Sequence, residues 1–235
     1  MAHRLLAVHS APTSHLQLPT SELGFTVLEL LVVSAIIAIL SSIGVVEFAR
    51  TRDRQEVRLA AENFAQFLRA TENMTRAGVP FPASTGYIDV DCDPSSEERK
   101  STTPCGGYGV MVSSASSGRQ YYRYADIVNV PTHTFNLGDP TITDDGGTVA
   151  LSSKIVFSAV VCDAPSCGSI APEPVFSHSI LFVPPKDSIC ISNGANVRCG
   201  PRDFREVTYT FSHATRPGIQ RSVRINTVSG LVSVQ

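Results

Sequence analysis

A chain of 235 residues, 43% of them apolar and 17% charged, holds enough apolar side chain for one domain of ordinary size, or a smaller one with an appendage. That balance excludes a disordered chain, and a net charge of -2 argues against a protein held on nucleic acid by bulk charge. One apolar run is long enough to cross a bilayer, which excludes a multi-span membrane protein. Charge is unevenly laid out. Residues 1–79 balance, residues 80–186 carry six basic and eleven acidic side chains, and residues 187–235 carry six Arg and three acids.

Residues 1–24 show no periodicity. Phe25 to Val46 then contains one charge, Glu29, in 22 residues. A helix of that length covers about 33 Å, the thickness of a bilayer's hydrocarbon. A secretory signal core is shorter and ends at a small-x-small site, whereas Glu47-Phe-Ala-Arg-Thr-Arg-Asp-Arg follows here. From Arg50 to Ala77 there is no Pro or Gly. Val57, Ala61, Phe64 and Leu68 keep one apolar face, widened by Ala60, Phe67, Ala70 and Met74. Gly78 and Pro80 supply the stop. One helix from Phe25 to about Ala77 is expected, apolar all round in its first half and amphipathic in its second, which must pack on the domain downstream.

Beyond Pro80 the period changes. Strands are expected at 108–112, 120–128, 154–161, 179–183, 189–192, 206–212, 222–227 and 231–234, several alternating as in Val207-Thr-Tyr-Thr-Phe211. Six cysteines fall in this part, at 92, 105, 162, 167, 190 and 199. An even set confined to one region points to disulfides in an oxidising compartment, and no C-x-x-C spacing favours zinc. Neighbour pairs are expected: Cys92–Cys105, Cys162–Cys167 and Cys190–Cys199. Each flanks a turn-rich segment, such as Ser192-Asn193-Gly194 inside the last.

Gly24-Phe25-Thr26-Val27-Leu28-Glu29, opening a long apolar helix, resembles the signal of type IV prepilins and type II secretion pseudopilins. In that family a membrane prepilin peptidase cuts after the Gly and N-methylates the new first residue. The resemblance implies cleavage between Gly24 and Phe25, methylation of Phe25, and a mature chain of 211 residues once 24 are removed from 235. Glu29 becomes the fifth mature residue, where the family's Glu pairs with the N-terminal amine of a neighbouring subunit. The helix followed by an all-β part, and the ending Arg221-Ser-Val-Arg-Ile-Asn-Thr-Val-Ser-Gly230, resemble most the H-type pseudopilin and FimT-like minor pilins. The implied fold is α+β, the pilin fold: a long N-terminal helix packed on an all-antiparallel β domain. The implied organisation is a leader (1–24), a membrane or filament-core helix (25–46), an amphipathic helix (47–79) and a disulfide-bonded head (80–235). The implied partners are prepilin peptidase, other pilin subunits and the inner-membrane assembly platform. The implied location is the bacterial inner membrane and then the filament.

Two physical readings bear on that assignment. A carboxylate within a bilayer is costly, so Glu29 suggests function; near the interface it instead costs little and suits a helix N-terminus. Arg50, Arg52, Arg54 and Arg58 follow the apolar run, which by the positive-inside rule alone would leave the C-terminal part in the cytoplasm. Glu47, Asp53 and Glu56 interleave with them, and the cysteines and the Gly-Phe signal argue for the outside.

Other chemistries fare worse. Asp89-Val-Asp91-Cys-Asp93 alternates like a calcium loop, but Pro94 replaces the turn Gly and Lys100 the bidentate Glu, so a solvated loop is expected. Asp144-Asp145-Gly146-Gly147 reads as a turn. His133, His178 and His213 have no nucleophile elbow or recognisable Ser or Cys context, no P-loop is present, and neither catalysis nor a cofactor is expected. The terminal cluster Arg198, Arg202, Arg205, Arg216, Arg221 and Arg224 could hold DNA phosphates, as FimT-like proteins do; solubilising strand faces is the plainer expectation. Two alternatives to a filament subunit therefore remain: a tip pilin binding DNA or a surface, and a single-span anchored β domain that never assembles. Within the helix, Ser41-Ser42-Ile43-Gly44 is the expected place for loosening on assembly, since Gly weakens a helix by about 1 kcal/mol relative to Ala.

Overall fold

A computed structural model describes residues 26–79, 90–91, 100–101, 106–113, 119–126, 141–142, 147–163, 169–170, 178–183, 188–192, 197–200 and 203–235. The leader, Gly24, Phe25, Cys92, Cys105, Cys167, Asp89, Asp93, His133, Asp144, Asp145 and Arg202 lie outside the described residues. The chain divides into two compact units, Met1–Glu47 and Phe48–Gln235.

Helix α1 spans Val27–Arg76. Thr26 begins it: its Oγ1 accepts from the Glu29 amide at 3.2 Å and its carbonyl from the Leu30 amide at 3.1 Å. That is the N-cap arrangement, with Glu29 at the third helical position. In the first unit every described side chain from Thr26 to Glu47 is exposed, including Leu28, Leu31, Ile36, Leu40 and Val46. The helix runs unbroken through Ser41–Gly44. An apolar segment that no part of its own unit buries is long and apolar enough to span a membrane.

In the second unit α1 turns amphipathic. Val57, Ala61, Phe64, Ala65, Phe67 and Leu68 are buried, with Asp53, Thr71 and Thr75 on the same stripe. Ala70, expected to widen that face, is exposed, and Ala65 takes the inward place. The helix ends as Gly78 signals. Gly78 sits at φ 58, its amide donates to Thr75, and the Val79 amide donates to Met74. These are the two bonds of a Schellman cap, which needs a residue free to adopt positive φ.

The described strands are all paired antiparallel. In chain order they are β1 (Val90–Asp91), β2 (Lys100–Ser101), β3 (Gly107–Ser113), β4 (Gln120–Asp126), β5 (Thr141–Ile142), β6 (Thr148–Ala150), β7 (Ile155–Cys162), β8 (Ser169–Ile170), β9 (His178–Val183), β10 (Ser188–Ser192), β11 (Val197–Cys199), β12 (Glu206–His213), β13 (Arg216–Asn226) and β14 (Val232–Val234). One sheet has the order β11-β10-β9-β3-β4-β5, with β6 also on β4; another has β14-β13-β12-β7-β8; β1 and β2 pair separately. An α+β architecture follows: one long apolar helix at the N-terminus and antiparallel sheets after it.

A single core joins the helix stripe to both larger sheets. Val110, Val112, Ile180, Phe182, Ile189 and Ile191 enter it from the first sheet, and Val207, Tyr209, Phe211, Val223 and Ile225 from the second. The i, i+2 spacing is the strand period that places alternate side chains on one face. Phe64 sits at its centre, with ring centroids 5.0 Å from Tyr121, 5.1 Å from Tyr209, 5.2 Å from Phe157 and 5.4 Å from Phe211. The first sheet is apolar on its other face too, where Met111, Tyr124, Leu181 and Cys190 cluster. Gly109 is required there: the Tyr124 ring of the paired strand lies where a Cβ would stand.

Candidate functional site

Of the residues expected to act, Glu29 is described: exposed, at the start of α1, its amide held by Thr26. A carboxylate at that position faces the unpaired amides of the first turn, which favours it electrostatically.

The cysteine expectations are met in part. Cys190 and Cys199 are directly opposite in the β10–β11 register and form a disulfide, with Cα atoms 4.1 Å apart. Cys162 is also disulfide-bonded, to a cysteine outside the described residues. The hairpin is tied down at its base. The Cys199 amide donates to Asp203 Oδ2 at 3.0 Å, and Thr227 Oγ1 donates to the Phe204 carbonyl at 2.9 Å. Gly200 lies so close to Thr227 that a side chain would collide with it.

Sequence reasoning missed the charged and polar groups that fix the helix on the sheets. Asp53, read as one of the acids interleaved among arginines, is buried and ion-paired with Arg216 at the β12–β13 turn, with His213 Nε2 3.6 Å away. Beside it Lys154 Nζ and Arg52 Nε both reach Glu56 Oε1, at 3.4 and 3.2 Å. The available signal was spacing: Asp53 stands four residues before Val57, on the buried stripe. Arg224, another of the terminal arginines, pairs with Glu206. Of the six, Arg216 and Arg224 are therefore committed to structural partners.

Further along, Arg123 of β4 is buried with its guanidinium 4.6 Å from the centroid of the Phe67 ring and its Nε donating to Thr71 Oγ1 at 3.0 Å. Thr75 Oγ1 accepts from the Tyr108 amide, and the Tyr108 hydroxyl donates to the Val79 carbonyl. Burial pushes the Tyr108 phenol up to about 12, partly offset by Arg123, while burial lowers the Arg123 pKa. A cation–π contact made in such a desolvated place is among the stronger ones. On β9, His178 is buried with Nδ1 3.0 Å from the Tyr209 hydroxyl and Nε2 without a hydrogen-bond partner among the described residues. Burial pushes its pKa down to about 4 and raises that of Tyr209. These groups are interior and serve packing and register.

The described residues thus present an exposed apolar helix segment with one acid at its start and, in the second unit, later helical turns held by ion pairs, a buried Arg and a packed aromatic centre. Comparison with protein-family models, with curated proteins and with solved structures finds no match.

Proposed function

We propose that the chain is a minor pilin or pseudopilin, a subunit of a type IV pilus or type II secretion pseudopilus. In this reading prepilin peptidase cuts between Gly24 and Phe25 and methylates Phe25. Residues 25–46 hold the subunit in the bacterial inner membrane with the β unit outside, and the assembly platform draws it into a filament. The apolar segments then bundle in the filament core and the β units face out. The chain does no catalysis and needs no cofactor.

The observation that carries the reading is helix α1. Its first 20 residues, Val27–Val46, expose an apolar surface with Glu29 as the only charge, and its later residues are the central element of a β core. A plain signal anchor would not need the second feature, and a soluble domain would not tolerate the first. The DNA-binding alternative gains little, since Arg216 and Arg224 are already engaged by acids.

The test is substitution of Glu29, with both variants assayed in sheared-filament and membrane fractions. Glu29→Ala and Glu29→Gln should insert in the membrane as well as the parent, because each removes a charge that is costly in a bilayer. Filament incorporation should fall for both, because the amine of a neighbouring Phe25 loses its counter-charge. Gln also suits the third helical position after a Thr cap. Normal incorporation of Glu29→Gln would therefore reduce Glu29 to a capping residue and overturn its assembly role.

A further inference from the structure

Several arginines of the second unit are paired with acids. Arg52 and Arg58 pair with acids one turn along the helix, Arg216 with Asp53, and Arg224 with Glu206. Arg54 and Arg221 are different. Both are exposed, neither has an acidic partner among the described residues, and together they line an open groove with Gly218, Ile219 and Gln220 of β13. A Cβ placed on Gly218 meets nothing within 4 Å, so the groove has free space over its glycine. Two exposed arginines line this groove, and although Arg221 Nη1 also donates to the Gln220 carbonyl at 3.4 Å, arginine keeps further N–H groups with which it can bind a tetrahedral oxyanion in pairs.

The groove's place in the chain selects the anion. Arg54 follows Val46, the last residue of the apolar run, by eight residues of the same helix. Along the helix Arg50, Arg52 and Arg58 are matched by Glu47, Asp53, Glu56 and Glu62, so Arg54, exposed and without an acidic partner among the described residues, is a cation left over close to the apolar run. Basic residues just beyond a membrane segment are drawn to anionic lipid, an attraction that fades within a Debye length. We propose that the Arg54–Arg221 groove is a binding site for the phosphate of an anionic phospholipid headgroup, seating the β unit against the membrane surface before the subunit leaves the bilayer. This rests on the apolar segment being membrane-embedded and not on filament assembly, so it would stand even if the pilin reading fell.

The full chain in neutral maltoside micelles should be titrated with phosphatidylglycerol and with phosphatidylcholine of the same acyl chains, bound lipid being read by native mass spectrometry. Phosphatidylglycerol should bind more tightly. Arg54→Gln/Arg221→Gln should weaken it roughly thirty-fold and leave phosphatidylcholine unchanged, following the usual contribution of each basic residue near an anionic surface. Gly218→Glu should weaken phosphatidylglycerol comparably, whereas Gly218→Ala should not; both fit the open space, so loss of folding does not confuse the result. Equal binding of the two lipids, or full retention by the double variant, would overturn the proposal. Inorganic phosphate competing at the affinity of the lipid would assign the groove to a free anion instead. A short DNA duplex displacing the lipid at lower concentration would assign it to nucleic acid, and either result removes the lipid assignment.

Discussion

His178 gives the β unit a calculable weakness to acid. The imidazole is 3% exposed and burial pushes its pKa from 6.5 down to about 4. The folded state therefore favours the neutral ring, while the unfolded chain takes up a proton as pH falls through 6.5. The contribution is fully present above pH 6.5, declines as pH falls towards 4, and is exhausted below that. At 1.36 kcal/mol per pKa unit the loss across that window is about 3 kcal/mol, a large share of the 5–15 kcal/mol that holds a domain together. Denaturant midpoints of the full chain in neutral micelles, read by far-UV circular dichroism at several pH values between 7 and 4, measure it. His178→Leu/Tyr209→Phe removes the titrating ring and also the hydroxyl it would leave orphaned 3.0 Å away. This double variant should lose about 3 kcal/mol less than the parent over the same range. All other groups that ionise in this range are common to both proteins, so the difference isolates the His178 ring. Identical pH slopes would show that the ring is not held neutral and would refute the argument.

Other substitutions probe the core and the bridges. Phe64→Ala, which opens a hole among Tyr121, Phe157, Tyr209 and Phe211, should cost about 3–5 kcal/mol in denaturant unfolding; a loss under about 1 kcal/mol would mean the ring is not central. Cys190→Ser/Cys199→Ser opens a short loop and should cost about 2–3 kcal/mol on the loop-entropy argument, read as the drop in denaturant midpoint relative to the parent under non-reducing conditions. Non-reducing peptide mapping should recover Cys190–Cys199 as one linked pair and show Cys162 linked as well; free thiols at these positions would contradict the disulfides.

The long elements were legible because their signals are local and periodic. Val57, Ala61, Phe64 and Leu68 announce a helix face, Gly78 its end, and Val207, Tyr209 and Phe211 a half-buried strand. The start of β13 was missed: Arg216-Pro-Gly-Ile-Gln-Arg221 lies at the exposed end of its sheet, where no apolar alternation marks it. The two- and three-residue strands β5, β6, β8 and β11 are too short to hold a period, and only their partners define them. Asp53, Arg123 and His178 were illegible for another reason. Composition places charged and polar groups outside, and only the tertiary partners Arg216, Phe67 and Tyr209 make burying them affordable. At the N-terminus the reverse holds: the Gly24–Glu29 pattern is local and specific, but what it does depends on proteins outside this chain.

The most direct measurement is therefore the N-terminus of the protein made in cells carrying a prepilin peptidase. Intact-mass analysis of the membrane-extracted chain should find 211 residues beginning at Phe25 and one methyl group heavier than the sequence requires. A peptidase pocket that reads the residue before the cut leaves no room for a larger side chain, so Gly24→Val should remain at the full 235 residues. An uncut parent chain, or a Gly24→Val variant processed as the parent is, would contradict the proposal that the chain is a pilin.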